Sequence, residues 1–584
     1  MKIFLKKLLM IIGGLTVFMF FLCIGSAVFI WKQREKIPDN IVLELDFSKG
    51  LAEYVPDESA ARMMLGKMPT VLDVVQTLEL AAKDKRVAGI IADVGHAELG
   101  FARIQEIRNA VMAFRKKGKS AVAYTDTFGE FGPGNGAYYL ATAFEEISLQ
   151  PSGDLGLTGL MLETRFFKGT LEKLGVIPRM GQRHEYKNAM NLFTESKYTE
   201  PHKEAMEAVM NSVFGQMVTE IATARNLSEE NVRSLTDHGL FMGQEAVNAG
   251  LADHIAYRDG IYKALKKKFG NDVQFIPLSD YMNKADRLQT DGDAVALIYG
   301  VGRVQRGKSE YSALSGDVVM GSETVAEAFQ DAIEDDEVKA ILFRIDSPGG
   351  SYVASDSIWR QTVHAKEAGK PVIVSMSDVA GSGGYFVAAA ADKIVAHPAT
   401  ITGSIGVLGG KMLTAGLWEK AGISWDEVHS SENATIWSTI QDYTPAQWTL
   451  LQSLLDRIYA DFTGKVAQGR NLPPEKVSEI AKGRIWTGAD AKTLGLVDEL
   501  GGFPEALKLA KKAAGISEHA DIYLKIFPEK KLLIDILLEE GTGQQNTSVF
   551  IRILSEIREI SRLIRELGLS GERGVLSVEE SKLQ

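Results

Sequence analysis

Cysteine is almost absent from this chain of 584 residues, which contains only Cys23. A framework of internal disulfides is therefore excluded, and the nine histidines form no His/Cys cluster of the kind that holds zinc. Positive charge is also in the minority, because 65 Lys and Arg stand against 76 Asp and Glu, a formal net charge of −11. Such a chain has no basic face for nucleic acid. We expect no metal, no nucleotide cofactor and no nucleic-acid partner.

Long hydrophobic runs are equally rare, and the one that stands out covers residues 8–31 without a charged side chain. Lysines lie in the short basic segment 1–7, and more basic residues follow at 32–36. About 20 apolar residues span a bilayer, whereas the core of a cleaved signal peptide has about 7–15. We therefore predict a single-pass anchor in the lipid bilayer at 8–31. A signal peptide cleaved near 25–27 is the alternative, and the flanking charges barely decide the orientation.

The rest of the chain contains an internal repeat. Residues 134–160 align without a gap with 381–407, an offset of 247 (381 minus 134), and residues 198–254 align with 443–499 at an offset of 245 (443 minus 198). A repeat of this length is a whole domain rather than a unit of a solenoid. We predict two homologous domains in tandem, at 38–285 and 291–519.

Both halves alternate short β-rich runs with amphipathic stretches, which predicts an α/β fold with a mostly parallel sheet and crossover helices. The strands are expected at 40–45, 87–94 and 121–124, and again at 294–299, 338–345 and 371–376. Residues 520–584 have no copy in the first half and are predicted to be a helical extension and tail. Within it, 551–567 should form a helix packed on the body or on a neighbouring subunit, and 570–584 a frayed tail.

Ser382 is the candidate nucleophile, because it lies in a Gly-Ser-Gly-Gly turn before an alanine-rich segment. Such a turn presents a hydroxyl at the start of a helix, with the amide of Gly383 free to bind a developing negative charge. Its counterpart in the first copy is Asn135, which is no nucleophile. The turn Asp-Ser-Pro-Gly-Gly at 346–350 should lie at the carboxyl edge of the sheet, so the amide of Gly349 or Gly350 is a second candidate for this oxyanion site.

A serine needs a base, and Lys187 is the better candidate because no lysine stands at its place in the second copy. A buried lysine loses its proton more easily and can act as general base to a serine. His397 is a weaker candidate that resembles a surface or edge residue. Ser404 either holds the lysine amine by a hydrogen bond or is an ordinary turn residue.

These motifs together resemble the signal peptide peptidase A family (peptidase family S49) in its long, duplicated, membrane-anchored form. They are Ser-Gly-Gly-Tyr at 382–385, Asp-Ser-Pro-Gly-Gly at 346–350, Thr-Gly-Ser-Ile-Gly at 402–406 and Tyr-Lys at 186–187. The resemblance implies a ClpP/crotonase-like fold and a serine protease with Ser382 as nucleophile and Lys187 as base. Small departures are Gly381, where alanine is commoner, and Phe386, where an indole is common.

The resemblance further implies degradation of cleaved signal peptides and similar unfolded apolar peptides by a homotetramer. It places the protein in the bacterial inner membrane, with the catalytic body on the periplasmic side. Two other interpretations stay open at this level: a crotonase-type acyl-CoA enzyme, which would share the sheet and oxyanion site, and a catalytically silent membrane scaffold.

Overall fold

The computed structural model describes residues 37–55, 68–95, 97, 99–285, 292–311, 317–528 and 575–577. The anchor predicted at 8–31 and the helix predicted at 551–567 lie outside these residues. Within them, no helix has the length and apolar character needed to cross a bilayer.

The first half is built on a sheet of six parallel strands, which continuous buried runs such as Val-Ala-Gly-Ile-Ile-Ala favour. Their spatial order is His254–Ile255, Glu146–Leu149, Ser120–Thr125, Val87–Asp93, Ile41–Asp46 and Gln274–Pro277.

The second half has six parallel strands with the same order of connection. They are Glu499–Leu500, Lys393–Ala396, Val372–Gly381, Val338–Ser347, Asp293–Val301 and Ile522–Phe527. Two short strands, Ile401–Gly403 and Ile485–Thr487, extend the sheet beside the end of Val372–Gly381. The predicted α/β fold with mostly parallel strands is confirmed.

Helices lie between the strands, and some of them begin at a residue whose side chain caps the helix. Thr70 and Thr444 each form a capping box with the third helical residue, and proline occupies the first helical position after Thr444. The helices of the first half are Val71–Lys83, Phe101–Lys116, Asn135–Ala141, Lys168–Leu174, Asn191–Thr194, Glu200–Arg225, Glu229–His238, Gln244–Asn248, Arg258–Phe269 and Leu278–Lys284. Those of the second half are Ser322–Glu334, Tyr352–Glu367, Gly383–Ala388, Ala415–Lys420, Pro445–Arg470, Pro474–Ile480, Gly488–Thr493 and Phe503–Ala513.

A third sheet joins the two halves. The two halves are connected at one edge of this sheet, where Ile177–Arg183 from the first half pairs antiparallel with Val407–Leu413 from the second. The strands of this sheet, in spatial order, are Glu310–Tyr311, Val318–Gly321, Arg303–Gln305, Gly349–Ser351, Val575–Ser577, Val407–Leu413 and Ile177–Arg183. Two more strands, Asp154–Leu157 and Gly239–Met242, form a separate antiparallel pair.

Two expectations for the C-terminal region differ from the structure. Ile522–Phe527, expected to have no copy in the first half, is the edge strand of the second sheet and has the place that Gln274–Pro277 has in the first. Val575–Ser577, expected in a frayed tail, pairs antiparallel with Gly349–Ser351 and with Leu408. Both strands were missed because each is stabilised by pairing with distant strands rather than by a local pattern.

Candidate active site

Ser382 lies at the carboxyl edge of the second sheet. The strand Val372–Gly381 ends just before it and the helix Gly383–Ala388 begins just after it. Its backbone has φ 53° and ψ −115°, a conformation that non-glycine residues rarely adopt and that clusters at functional sites. The Ser382 amide donates to the carbonyl of Gly403 (2.8 Å), which holds this turn against the neighbouring strand. The side chain is fully buried.

Asn135 occupies the matching turn of the first half. Its side-chain nitrogen donates to the carbonyl of Gly159 (2.8 Å), and its side-chain oxygen accepts from the amide of the same residue (3.1 Å). Both polar atoms therefore stabilise the turn.

Lys187 reaches the site from the first half. Lys187 lies four residues after the strand Ile177–Arg183. Because this strand pairs with Val407–Leu413, its register fixes where Lys187 lies relative to the second half. Gly483 packs closely against the backbone of Lys187. A Cβ at position 483 would lie 2.5 Å from the backbone nitrogen of Lys187, and Gly483 has φ +83°. Only glycine allows this approach in this conformation.

The structure brings Lys187, Ser382 and Ser404 together. The Lys187 Nζ lies 2.7 Å from Ser382 Oγ, 3.0 Å from Ser404 Oγ and 2.9 Å from the Ser404 carbonyl oxygen. All three residues are buried. A neutral amine has two N–H groups and one lone pair, so two donations to Ser404 and acceptance of the Ser382 hydroxyl proton would satisfy it completely.

Burial also sets the charge state of Lys187, because it disfavours the ammonium form. It lowers the pKa of Lys187 from 10.5 to about 7. At neutral pH a large fraction of the amine is therefore unprotonated and available to accept a proton.

The candidate oxyanion groups lie beside this pair. Gly383 opens its helix, so its amide has no acceptor within the helix. A Cβ on Gly383 would lie 2.9 Å from the Gly350 nitrogen and 3.2 Å from the Gly349 Cα, so the Pro-Gly-Gly turn packs directly against it. The Gly349 amide donates to Ser347 Oγ (3.2 Å), and Gly350 is paired with Val304 and with Leu576 in the third sheet.

His397 is not part of this group, and it is not the surface residue that the sequence suggested. It is buried where the two halves meet, and its Nε2 lies 3.7 Å from a carboxylate oxygen of Glu106. It was misjudged because the first half covers it, and no local pattern reveals that contact.

Charged residues at the contact between the halves were also missed. Arg344 is fully buried and donates to Glu53 (2.6 Å) and Glu106 (2.7 Å), both from the first half. Asp378, four residues before Ser382, pairs with Arg103 of the first half. The available signal was a charged residue inside an otherwise apolar strand, since such residues are rarely buried without a partner.

Residues 302–309 have the spacing G-x-x-x-x-G-K-S, which is typical of a phosphate-binding loop and was not recognised from the sequence. Its middle forms the strand Arg303–Gln305, which pairs with Val318–Gly321. The Ser309 hydroxyl accepts from the amide of Gly321 (3.1 Å). This segment is a paired strand and not a loop that opens a helix, so it lacks the geometry that cradles phosphate. In the described part of the chain, no three His, Cys, Asp or Glu side chains are grouped to hold a metal ion.

Comparison with known proteins identifies the family. The model of peptidase family S49 matches residues 113–272 and 364–517, together more than half of the chain. The serine protease SPPA, chloroplastic, of Arabidopsis thaliana is 32% identical over 444 residues, which are 75% of this chain and 64% of the plant protein. Protease 4 of Salmonella typhi is 30% identical over 488 residues, 81% of this chain and 76% of that protein. Protease 4 of Haemophilus influenzae is 29% identical over 518 residues, 86% and 80% of the two chains.

Among solved structures, a ClpP1 mutant from Listeria monocytogenes is 16% identical and covers 36% of this chain and 94% of its own. The TM-score of 0.23 is too low to establish a shared fold. The family match rests on the sequence comparisons, which cover both halves. The chain belongs to peptidase family S49 and is a serine protease.

Proposed function

We propose that the protein is an endopeptidase that cleaves peptides through an acyl-enzyme on Ser382, with Lys187 as general base. The observation that carries this proposal is the 2.7 Å contact between Lys187 Nζ and Ser382 Oγ, made by a buried lysine whose pKa is about 7. A base with a pKa near the working pH transfers protons most effectively.

In the first step, Ser382 Oγ attacks the peptide carbonyl carbon while its proton passes to Lys187 Nζ. The negative oxygen of the tetrahedral intermediate accepts hydrogen bonds from the amides of Gly383 and of Gly350 or Gly349. Lys187 then returns the proton to the leaving amine as the peptide C–N bond breaks. Ser404 holds the amine throughout.

In the second step, water attacks the acyl-enzyme and gives a proton to Lys187. The ester bond to Ser382 then breaks, and the serine oxygen takes the proton back. The net reaction consumes one water and uses only residues of this chain, so no cofactor takes part.

The substrates we propose are cleaved signal peptides and similar unfolded apolar peptides. Two sequence features support this assignment: the resemblance of the motifs around Ser382, and the charge-free run at 8–31. That run would anchor the protein in the bacterial inner membrane with the catalytic body on the periplasmic side, close to where signal peptides are left behind.

We further propose that the halves are tandem copies with a ClpP/crotonase-like fold, and that the chain forms a homo-oligomer, a tetramer by resemblance. The equal strand order of the two parallel sheets supports the duplication. Exposed apolar side chains support association. Ile485 is buried in the hydrophobic cluster of the first half, whereas its repeat counterpart Leu240 is 55% exposed. Leu408 is buried in the third sheet, which joins the two halves, whereas its repeat counterpart Met161 is 59% exposed.

The test of the catalytic assignment uses the full chain in detergent and a fluorogenic signal-peptide substrate. Ser382→Ala and Lys187→Ala should each lower kcat/KM by about a thousandfold, with circular dichroism unchanged. The matched control is Asn135→Ala, at the equivalent turn of the first half, which should keep most of the activity.

Loss of activity in Ser382→Ala alone would place the base elsewhere. Retention of activity in both variants would overturn the proposal. An acyl-CoA thioester assayed in parallel tests the crotonase-type alternative, which predicts its turnover.

A further inference from the structure

The strand that leads to Ser382 contains a bulge. Val372–Gly381 pairs in parallel with Val338–Ser347, and the register of this pair shifts near its end. There three residues, 377–379, stand opposite Asp346 alone. A bulge bends its strand and re-aims the side chains that follow, and Ser382 follows three residues later.

The matching strand pair of the first half ends before the place of the bulge. Val87–Asp93 pairs with Ser120–Thr125 in continuous register, residue by residue. That half carries Asn135 where the second half carries Ser382. In the described residues of these two sheets, the extension of this strand pair that contains the bulge therefore occurs only in the half that carries Ser382.

Two of the three bulge residues are held by the first half. Ser377 Oγ donates to Glu53 Oε2 (2.8 Å), and both side chains are buried. The Asp378 carboxylate accepts from the backbone amide of Arg103 (3.0 Å) and forms an ion pair with the Nε of the same residue. A Cβ at Gly100 would lie 2.2 Å from the Asp378 Cγ, so the helix that carries Arg103 is shaped to admit this carboxylate.

Val379, the third residue of the bulge, is held within the second half, and Arg344 holds Glu53 in place. The amide of Val379 donates to Asp346 Oδ1 (3.0 Å), in the segment that continues into the Pro-Gly-Gly turn. Glu53 is fixed by Arg344, whose Nε donates to Glu53 Oε1 (2.6 Å). Each residue of the bulge therefore has its own polar anchor.

We propose that the first half positions the nucleophile through this bulge, with Arg103 and Glu53 as positioning residues. The inference rests on the proposed function, since it assumes that Ser382 is the nucleophile. The first half then contributes to the reaction twice: Lys187 receives the proton, and Arg103 and Glu53 set the position from which Ser382 attacks. A displacement of about 1 Å at a reacting atom can cost about a hundredfold in rate.

The experiment measures kcat and KM of the full chain in detergent for Arg103→Gln and Glu53→Gln. Each should lower kcat about 10- to 100-fold with KM within about twofold of the original. Labelling of Ser382 by a fluorophosphonate should slow in parallel. Arg103→Lys, which keeps the positive charge beside Asp378, should recover part of the lost kcat.

Two controls separate positioning from general loss of structure. Arg179→Gln removes another ion pair between the halves, with Asp442 (2.8 Å), that does not touch the bulge. Arg225→Gln removes a partly buried ion pair with Asp253 within the first half. Both should leave kcat within about twofold of the original value.

Equal kcat losses in the Arg103, Arg179 and Arg225 variants, or a kcat unchanged in Arg103→Gln and Glu53→Gln, would overturn the inference. Ser382→Ala is measured beside them. If that variant stays active, the proposed function itself fails. If it is inactive while Arg103→Gln and Glu53→Gln are unaffected, only the positioning role fails.

Discussion

Lys187 shows how burial alone changes the chemistry of a side chain. Its amine lies among hydroxyl and carbonyl oxygens of Ser382 and Ser404, and none of its hydrogen-bond partners among the described residues is a carboxylate. Desolvation therefore acts without compensation and lowers the pKa of Lys187 to about 7. The same amine on an exposed lysine would be protonated at neutral pH and would have no lone pair for catalysis.

The pH dependence of hydrolysis follows from this pKa. The neutral amine is the active form, so activity is lost as the pH falls below the pKa and the amine becomes protonated. We expect kcat/KM to rise about tenfold per pH unit up to a pH of about 7 and then to level off.

The measurement is a series of initial rates from about pH 5 to 9, with circular dichroism at each pH as the control for folding. A flat profile over this range, with the fold retained, would contradict Lys187 as the base.

At the scale of elements, the joining strand pair and the turn at Gly483 decide where Lys187 lies. The strand Ile177–Arg183 ends four residues before Lys187, and Val407–Leu413 begins three residues after Ser404. Pairing of these strands therefore places Lys187 beside Ser404 and Ser382, the proposed base beside the proposed nucleophile. Gly483 then limits the backbone of Lys187 from the other side.

Gly483→Ala should lower kcat. A Cβ at position 483 would lie 2.5 Å from the backbone nitrogen of Lys187, so it would push the proposed base away from Ser382. We expect a loss of about tenfold or more, measured by steady-state kinetics with the signal-peptide substrate. Gly422→Ala is the matched control, because Gly422 also has positive φ (+74°) but faces open space. Equal activity of the two variants would show that the contact has no effect on the base.

Much at this scale could be predicted from the sequence, and the exceptions have a common cause. The alternating strands and helices were predicted from β-rich runs and amphipathic stretches, and the pairing of Ser382 with Lys187 was predicted by comparing the two copies. The bulge at 377–379, the buried position of His397 and the strand Ile522–Phe527 could not be predicted. Each depends on a partner far away in the chain, and neither hydrophobic periodicity nor turn residues report such contacts.

At the scale of the whole molecule, the contact between the halves buries apolar side chains of the second half whose counterparts in the first half are exposed. Ile485 packs in the hydrophobic cluster of the first half, and Leu408 pairs with Gln182 of the first half. The repeat counterparts of those two residues, Leu240 and Met161, remain exposed. A second copy that repeats the internal contact head-to-tail would cover them.

Leu240→Glu in the full chain should therefore weaken self-association, because it places a charge in a contact that would bury an apolar side chain. Light scattering in detergent should report a smaller particle for this variant than for the unmodified protein. Ala224→Glu, on an exposed position of the helix Glu200–Arg225, is the control and should leave the particle size unchanged. An unchanged size for Leu240→Glu would exclude this surface.

The division of the site between residues 187 and 382 has a consequence for the synthesis of the protein. A nascent chain carries the lysine for about two hundred residues before the serine exists, and it then needs the second half to fold onto the first. Fragments that end between these two positions would hold the lysine amine but not the serine hydroxyl. In the proposed mechanism, the order of translation therefore keeps a growing chain inactive until the second half has been made and has folded onto the first.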